Sequence, residues 1–236
     1  MPRSHLNPDL RSSRYEADIQ EASLYYRFMR MLTRISLVSL WRIRAFERHH
    51  EPSDGGVLYI CNHQSFLDPM LMGMALSRPM NYMARDTLFK QPVFKKLIES
   101  LNAFPVRRGT ADTRALKEAT RRLRKGRQVV LFAEGTRTPD GRIQPFLPGV
   151  AFLAQRAAKW SVPVLIEGAY EAWPRNNKLP RPGGHIIVQY GKPIPQETAR
   201  KMGAQDFVDS VRKEIIDIQT EVRTRLGKEP FDYSRR

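Results

Sequence analysis

A single cysteine, Cys61, in a chain of 236 residues leaves nothing to close an internal disulfide, so the oxidised scaffold of a small secreted protein is excluded. The polar start, residues 1–20, has no apolar signal core behind it, which points to a reducing, cytoplasm-facing location. Long apolar runs are missing too. Within the first amphipathic stretch the longest charge-free piece is residues 35–41, far short of the roughly 20 apolar residues that cross a bilayer. There is no internal repeat, low-complexity tract or Gly-rich phosphate loop. Acidic residues are scarce: 24 Asp and Glu face 40 Lys and Arg, for a net charge of +16. Such a field attracts polyanions, and both nucleic acid and an anionic membrane fit it. Residues 95–127 carry eleven basic and three acidic side chains, half of the excess. Against a nucleic-acid contact along 117–127 stands the lack of any zinc finger, RNA-binding aromatic motif or basic-zipper heptad, so no nucleic-acid partner is expected.

What is present suffices for a core: 41% of residues are hydrophobic and 9% aromatic. Residues 1–14 read as a flexible start. Residues 15–50 contain no Pro or Gly, and Leu24, Phe28, Met31, Leu32, Ile35, Val38 and Ile43 recur at spacings of three and four between arginines. This period predicts an amphipathic helix, either lying in a membrane interface with Tyr25, Tyr26 and Trp41 at headgroup level, or packed on the protein's own core. Apolar runs at 57–61, 81–84, 103–106, 129–133, 162–167 and 185–190 read as strands. Helices are expected at 70–76, 89–101, 112–125, 149–159 and 196–226. Alternation of this kind predicts an α/β fold, a single domain with a central mixed sheet flanked by helices, plus the N-terminal helix. The domain is placed at 51–195, with a C-terminal helix and tail over 196–236.

Two places carry chemistry. His63 follows a strand, and Asp68-Pro69 has the form of a helix start. Asp68 can turn toward the imidazole and orient it, leaving the other ring nitrogen as a general base; equally, it can merely cap its helix. Glu134-Gly135-Thr136-Arg137 stands at another strand end, where open α/β sheets place ligand loops. Arg137 offers a fork for phosphate oxygens, Thr136 a hydroxyl and Gly135 an approachable backbone; the bland alternative is a surface ion pair. Arg107 and Arg108 end a third strand. His5, His49, His50 and His185 form no ligand-spaced set with cysteine, so no metal is expected.

Taken in order, these pieces resemble the glycerolipid acyltransferase family, best known for 1-acylglycerol-3-phosphate acyltransferases. The likeness spans about residues 57–192. Asn62, His63, Ser65 and Asp68 meet the Asn-His-x-Ser-x-x-Asp pattern; Phe104-Pro105-Val106-Arg107-Arg108-Gly109 corresponds to the second motif, Glu134–Arg137 to the third and Val162-Pro163-Val164 to the fourth. The resemblance implies acyl transfer from acyl-CoA or acyl carrier protein, a co-substrate rather than a cofactor, to the hydroxyl of a lysophospholipid such as 1-acylglycerol 3-phosphate. A lyso-ornithine lipid is the alternative acceptor. His63 is then the base and Asp68 its partner, with Asn62, Ser65, Arg108, Glu134, Gly135, Thr136 and Arg137 on the substrate side. It further implies a monotopic or peripheral enzyme on the cytoplasmic leaflet of an anionic membrane. Two departures stand out. Leu147 precedes Pro148-Gly149 where relatives often carry Lys, and the fourth motif runs on into the acidic and aromatic Ile166-Glu167-Gly168-Ala169-Tyr170-Glu171-Ala172-Trp173.

Overall fold

The computed structural model describes residues 22–107 and 112–234. The strands are β1 (Arg42–Phe46), β2 (Val57–Cys61), β3 (Met80–Arg85), β4 (Ala103–Val106), β5 (Gln128–Phe132), β6 (Trp160–Glu167), β7 (His185–Tyr190) and β8 (Ile194–Pro195). The helices are α1 (Leu24–Leu40), α2 (Asp68–Ala75), α3 (Pro92–Ser100), α4 (Thr113–Arg124), α5 (Gly149–Arg156), α6 (Ala169–Ala172), α7 (Gln196–Lys201) and α8 (Ala204–Arg225). One mixed sheet runs β1-β7-β6-β2-β5-β3-β4, with β8 added beside β6. β2 lies parallel to both β5 and β6, while β7 pairs antiparallel with β6.

The central strand explains the architecture. Every residue of Val57–Cys61 is buried, as expected of a parallel strand covered on both faces. Because side chains alternate, Val57, Tyr59 and Cys61 join Leu37 of α1, Trp41 just after it, and Leu71 and Met72 of α2 on one face. Leu58 and Ile60 join Leu153, Phe207, Val211 and Ile215 of α5 and α8 on the other. Parallel pairing sends β2, β5 and β6 out at the same sheet edge, so the loops after Cys61, Phe132 and Glu167 converge there.

Three expectations need correction. The flexible start over 1–14 and the opening of the helix expected over 15–50 lie outside the described residues. The remaining helix stops at Leu40, and Arg42–Phe46 pairs with β7 as an edge strand. Arg42 and Arg44 alternate with Ile43 and Ala45, a period of two that extends the helical apolar spacing by coincidence. The domain is therefore wider than 51–195: it includes β1, and α8 packs against β6 within the core. The helix expected over 196–226 is two helices, because the chain turns at Met202 and Gly203.

Helix α1 has two apolar faces. Tyr26 and Leu37 are buried against the domain, and Arg30 donates to the carbonyls of Leu76 and Ser77 at 3.0 and 2.8 Å. On the opposite side Leu24, Phe28, Met31, Ile35 and Val38 form a stripe, and all five are exposed. Neither of the two readings of this helix stands alone: it packs on the core and still presents an apolar face outward.

Candidate active site

The loop after β2 turns His63 inward, where only 5% of its surface remains exposed. Its Nδ1 lies 2.7 Å from Asp68 Oδ2. The same oxygen accepts the backbone N–H groups of Gln64 at 2.6 Å and Ser65 at 2.8 Å. Among the described residues Asp68 Oδ1 meets no hydrogen-bond donor and Oδ2 bonds only the loop, so the capping alternative loses: the carboxylate faces back into the loop and fixes the imidazole. The ring stacks on Phe132, with centroids 4.2 Å apart.

Register brings the third motif to the first. Cys61 pairs with Phe132 across β2 and β5, which places His63 and Glu134 two residues beyond a matched pair. Glu134 Oε1 accepts the His63 backbone N–H at 2.8 Å across 71 residues of sequence. Burial pushes the Glu134 carboxyl up to about 8, the backbone N–H groups of His63 and Gln144 pull it back, and nearby Asp68 adds to the rise. The sign follows: the folded protein keeps this proton up to about pH 8, while the unfolded chain releases it near the usual 4.5. The stabilisation is complete below pH 4.5 and is lost as pH rises to about 8. Glu134→Gln, which keeps an acceptor for the His63 N–H, is expected to remove this contribution. Denaturant titrations across the range should then show a flatter stability profile, by on the order of a few kcal/mol; an unchanged slope would refute the assignment.

Gly135 takes φ +68°, and a Cβ there would lie 2.6 Å from Leu147. Its left-handed backbone turns the chain tightly after β5. Thr136 is exposed. Arg137 swings back so that its guanidinium sits 3.5 Å from the Phe66 ring centre, on the same cavity as His63. Arg107 pairs with Asp86 at 3.8 Å, and Arg108 lies outside the described residues. Asp112 does cap α4, accepting the N–H groups of Arg114 and Ala115; these bonds and that from Arg107 hold its carboxyl below the usual range.

Two residues expected on the substrate side, of which Ser65 lines the cavity beside His63, also bond the backbone of neighbouring segments. The Asn62 amide donates to the Ile166 carbonyl and accepts its N–H, at 2.9 and 2.8 Å, tying the end of β2 to β6. Ser65 Oγ donates to the Trp173 carbonyl at 2.8 Å and accepts the Leu67 N–H at 3.2 Å. Both hold the loop in shape.

His63 opens onto a cavity of about 710 Å³. Its walls are apolar: Met29 from α1, Met70 and Met74 from α2, Met83 from β3, and Phe94 and Leu97 from α3. Phe132 and Gly73, which sequence reasoning did not single out, also line it, as does Trp173 from the aromatic run after the fourth motif. A histidine held by aspartate at the strand ends of an α/β sheet, facing an apolar chamber, can act as a base on the polar end of a molecule whose apolar body fills the chamber.

Comparison narrows the class. The acyltransferase family model matches residues 42–167, just over half of the chain, and the protein belongs to that family. Over 189 residues it is 28% identical to the 1-acyl-sn-glycerol-3-phosphate acyltransferase of Cocos nucifera, covering 79% of this chain and 61% of that protein. Over 205 residues it is 25% identical to the enzyme of the same name from Bacillus subtilis, covering 86% and 96%. The chain thus spans less than two thirds of the first relative and nearly all of the second. The fold matches the crystal structure of PlsC, the 1-acyl-sn-glycerophosphate acyltransferase of Thermotoga maritima, with a TM-score of 0.74, 22% identity and coverage of 84% and 79%.

Proposed function

We propose that this protein transfers a fatty acyl group from an acyl thioester, acyl-CoA or acyl carrier protein, to the free hydroxyl of 1-acylglycerol 3-phosphate, giving phosphatidic acid. The observation that carries the reading is the His63–Asp68 pair set against an apolar cavity of about 710 Å³, and the names of the two relatives agree with it. With Nδ1 donating to Asp68, Nε2 takes the acceptor's hydroxyl proton as its oxygen attacks the thioester carbonyl. The tetrahedral intermediate collapses with rupture of the C–S bond, and the proton passes from His63 to the departing thiolate. No covalent enzyme intermediate is needed. Arg137, with Arg108, neutralises the acceptor phosphate, and the cavity takes the acyl chain.

The exposed stripe of α1, Leu24, Phe28, Met31, Ile35 and Val38, supports docking on the cytoplasmic leaflet of an anionic membrane as a monotopic or peripheral enzyme. Arginines 27, 30 and 34 flank it on one side. Among the described residues no helix is long and apolar enough to cross a membrane. One assay tests both parts: free thiol release from acyl-CoA or acyl carrier protein is followed in vesicles carrying either 1-acylglycerol 3-phosphate or lyso-acceptors without phosphate. The expected result is release that requires the phosphate-bearing acceptor and rises with the anionic lipid fraction. Equal rates with a lyso-ornithine lipid would give the acceptor role to that class instead. No release with any donor and acceptor would overturn acyl transfer.

A further inference from the structure

Glu167 is the last residue of the family match and belongs to the acidic run that departs from the fourth motif. It ends β6 and is fully buried. A carboxylate so placed must be paired and hydrogen-bonded throughout to be tolerated, and it is. Oε1 receives Arg223 Nη1 of α8 at 2.7 Å. Oε2 receives Gln219 Nε2, also of α8, at 2.8 Å and Gln64 Nε2 at 3.2 Å.

Gln64 stands between His63 and Ser65. Its amide is engaged on every side: Nε2 also donates to the Gly141 carbonyl at 3.2 Å, and Oε1 accepts the Tyr170 N–H at 3.1 Å. Its backbone N–H is the shortest bond received by Asp68 Oδ2, 2.6 Å. A continuous path therefore runs from Glu167 through the Gln64 side chain and peptide to the carboxylate that fixes the imidazole. The far end is anchored by the C-terminal segment. Gln219 Oε1 accepts the Tyr233 hydroxyl at 2.6 Å, and that hydroxyl accepts the Ile143 N–H at 2.8 Å. Arg223 donates to the Glu229 carbonyl at 2.8 Å and stacks on Phe231 at 3.8 Å.

We propose that Glu167 is a positioning residue for the His63–Asp68 pair, acting through Gln64 and held in place by α8 and the C-terminal segment. The inference rests on the acyl-transfer reading for its effect on rate, though not for its effect on the loop. Every anchor on the far side, Gln219, Arg223 and Tyr233, lies beyond residues 42–167, so the part of the chain outside the family match completes the geometry of the site within it.

The test separates positioning from mere support of the fold. Replacing a buried ion pair with apolar residues of similar volume is often neutral for stability, so Glu167→Met is combined with Arg223→Met. No unpaired charge is left behind, but Gln64 loses its carboxylate acceptor and keeps only the Gly141 carbonyl. The expected result is a kcat for thiol release lower by about tenfold or more with KM for the acyl donor within about twofold, the signature of lost transition-state geometry. In the same protein, amide hydrogen exchange at Gln64 and Ser65 should accelerate by about tenfold while the β2 amides stay protected. Unchanged kcat and unchanged exchange in the folded double variant would overturn the proposal and leave the pair a structural tie. If the double variant does not fold, Gln64→Met, which leaves the Glu167–Arg223 pair intact, must give the same split. A wild-type enzyme without acyl transfer would sink the proposed function alone, since the exchange at Gln64 and Ser65 still decides whether Glu167 holds the loop.

Discussion

His63→Ala is expected to lower kcat for thiol release by about 10²–10⁴-fold, the usual range for removing a general base. KM for the acyl donor should stay within a few-fold, because the walls that take the chain are Met, Phe and Leu side chains from four other elements. The loss is large because the two buried carboxyl groups beside His63 are already committed. Asp68 is buried with Oδ2 bonded to the His63 ring and to the loop N–H groups of Gln64 and Ser65, and Glu134 points one oxygen at the His63 backbone rather than at the cavity. Glu134 also holds its proton to about pH 8, so at neutral pH it takes no other. The backbone bonds from His63 to Glu134 and from Thr138 to the His63 carbonyl, 2.8 Å each, survive the substitution. Thermal unfolding of the variant should therefore remain cooperative, which separates lost chemistry from lost structure. A variant that retains more than about a tenth of the wild-type kcat would take the base role away from His63.

Much of this arrangement is legible in the sequence, and the reason differs from element to element. Val57–Cys61, Ala103–Val106 and His185–Tyr190 are strands at the residues expected, because short apolar runs between polar breaks have few other uses. Asp112 announces α4 because a cap is a local device. By contrast β1 hides in the alternation of arginine with Ile43 and Ala45, which continues the helical spacing of α1, and only its pairing with β7 distinguishes strand from helix. The site shows the same division. His63 and Asp68 are five residues apart and their pairing is guessed from a turn, whereas the Glu134 bond depends on strand register over 71 residues. Glu167 and Arg223, 56 residues apart, give no sequence signal beyond an acidic residue where an apolar strand ends. Asn62 and Ser65 show the limit of a motif: their side chains bond the Ile166 and Trp173 backbone while Ser65 also lines the cavity, and a motif records which residues a loop needs without saying which of their groups face substrate.

Gly73→Leu should change which acyl chains are accepted more than it changes the chemistry. Gly73 sits on α2 facing β3, and a Cβ at this position would collide with the Tyr82 hydroxyl. That hydroxyl cannot simply retreat: it bonds to Tyr26 of α1, whose own hydroxyl accepts the Met80 N–H at 3.1 Å. Burial and these neighbours push the Tyr82 hydroxyl well above its ordinary range, so it remains a neutral donor. A leucine at 73 must then either drive the Tyr82 ring into the chamber or extend into it, and either movement shortens the space available beyond His63. If roughly three to four methylenes of a long chain lose their contacts, at about 0.8 kcal/mol each, kcat/KM for that thioester falls by about a hundredfold. A short-chain thioester, which does not reach so deep, should change by less than about threefold. The comparison is made with a series of acyl-CoA chain lengths at fixed acceptor, read as the ratio of kcat/KM between the longest and the shortest. A uniform loss across the series would mean that the substitution disturbs the His63 loop through α2. An unchanged ratio with full activity would mean that the acyl chain leaves the active site by another route, because a side chain placed between α2 and Tyr82 cannot avoid a chain lying in this cavity.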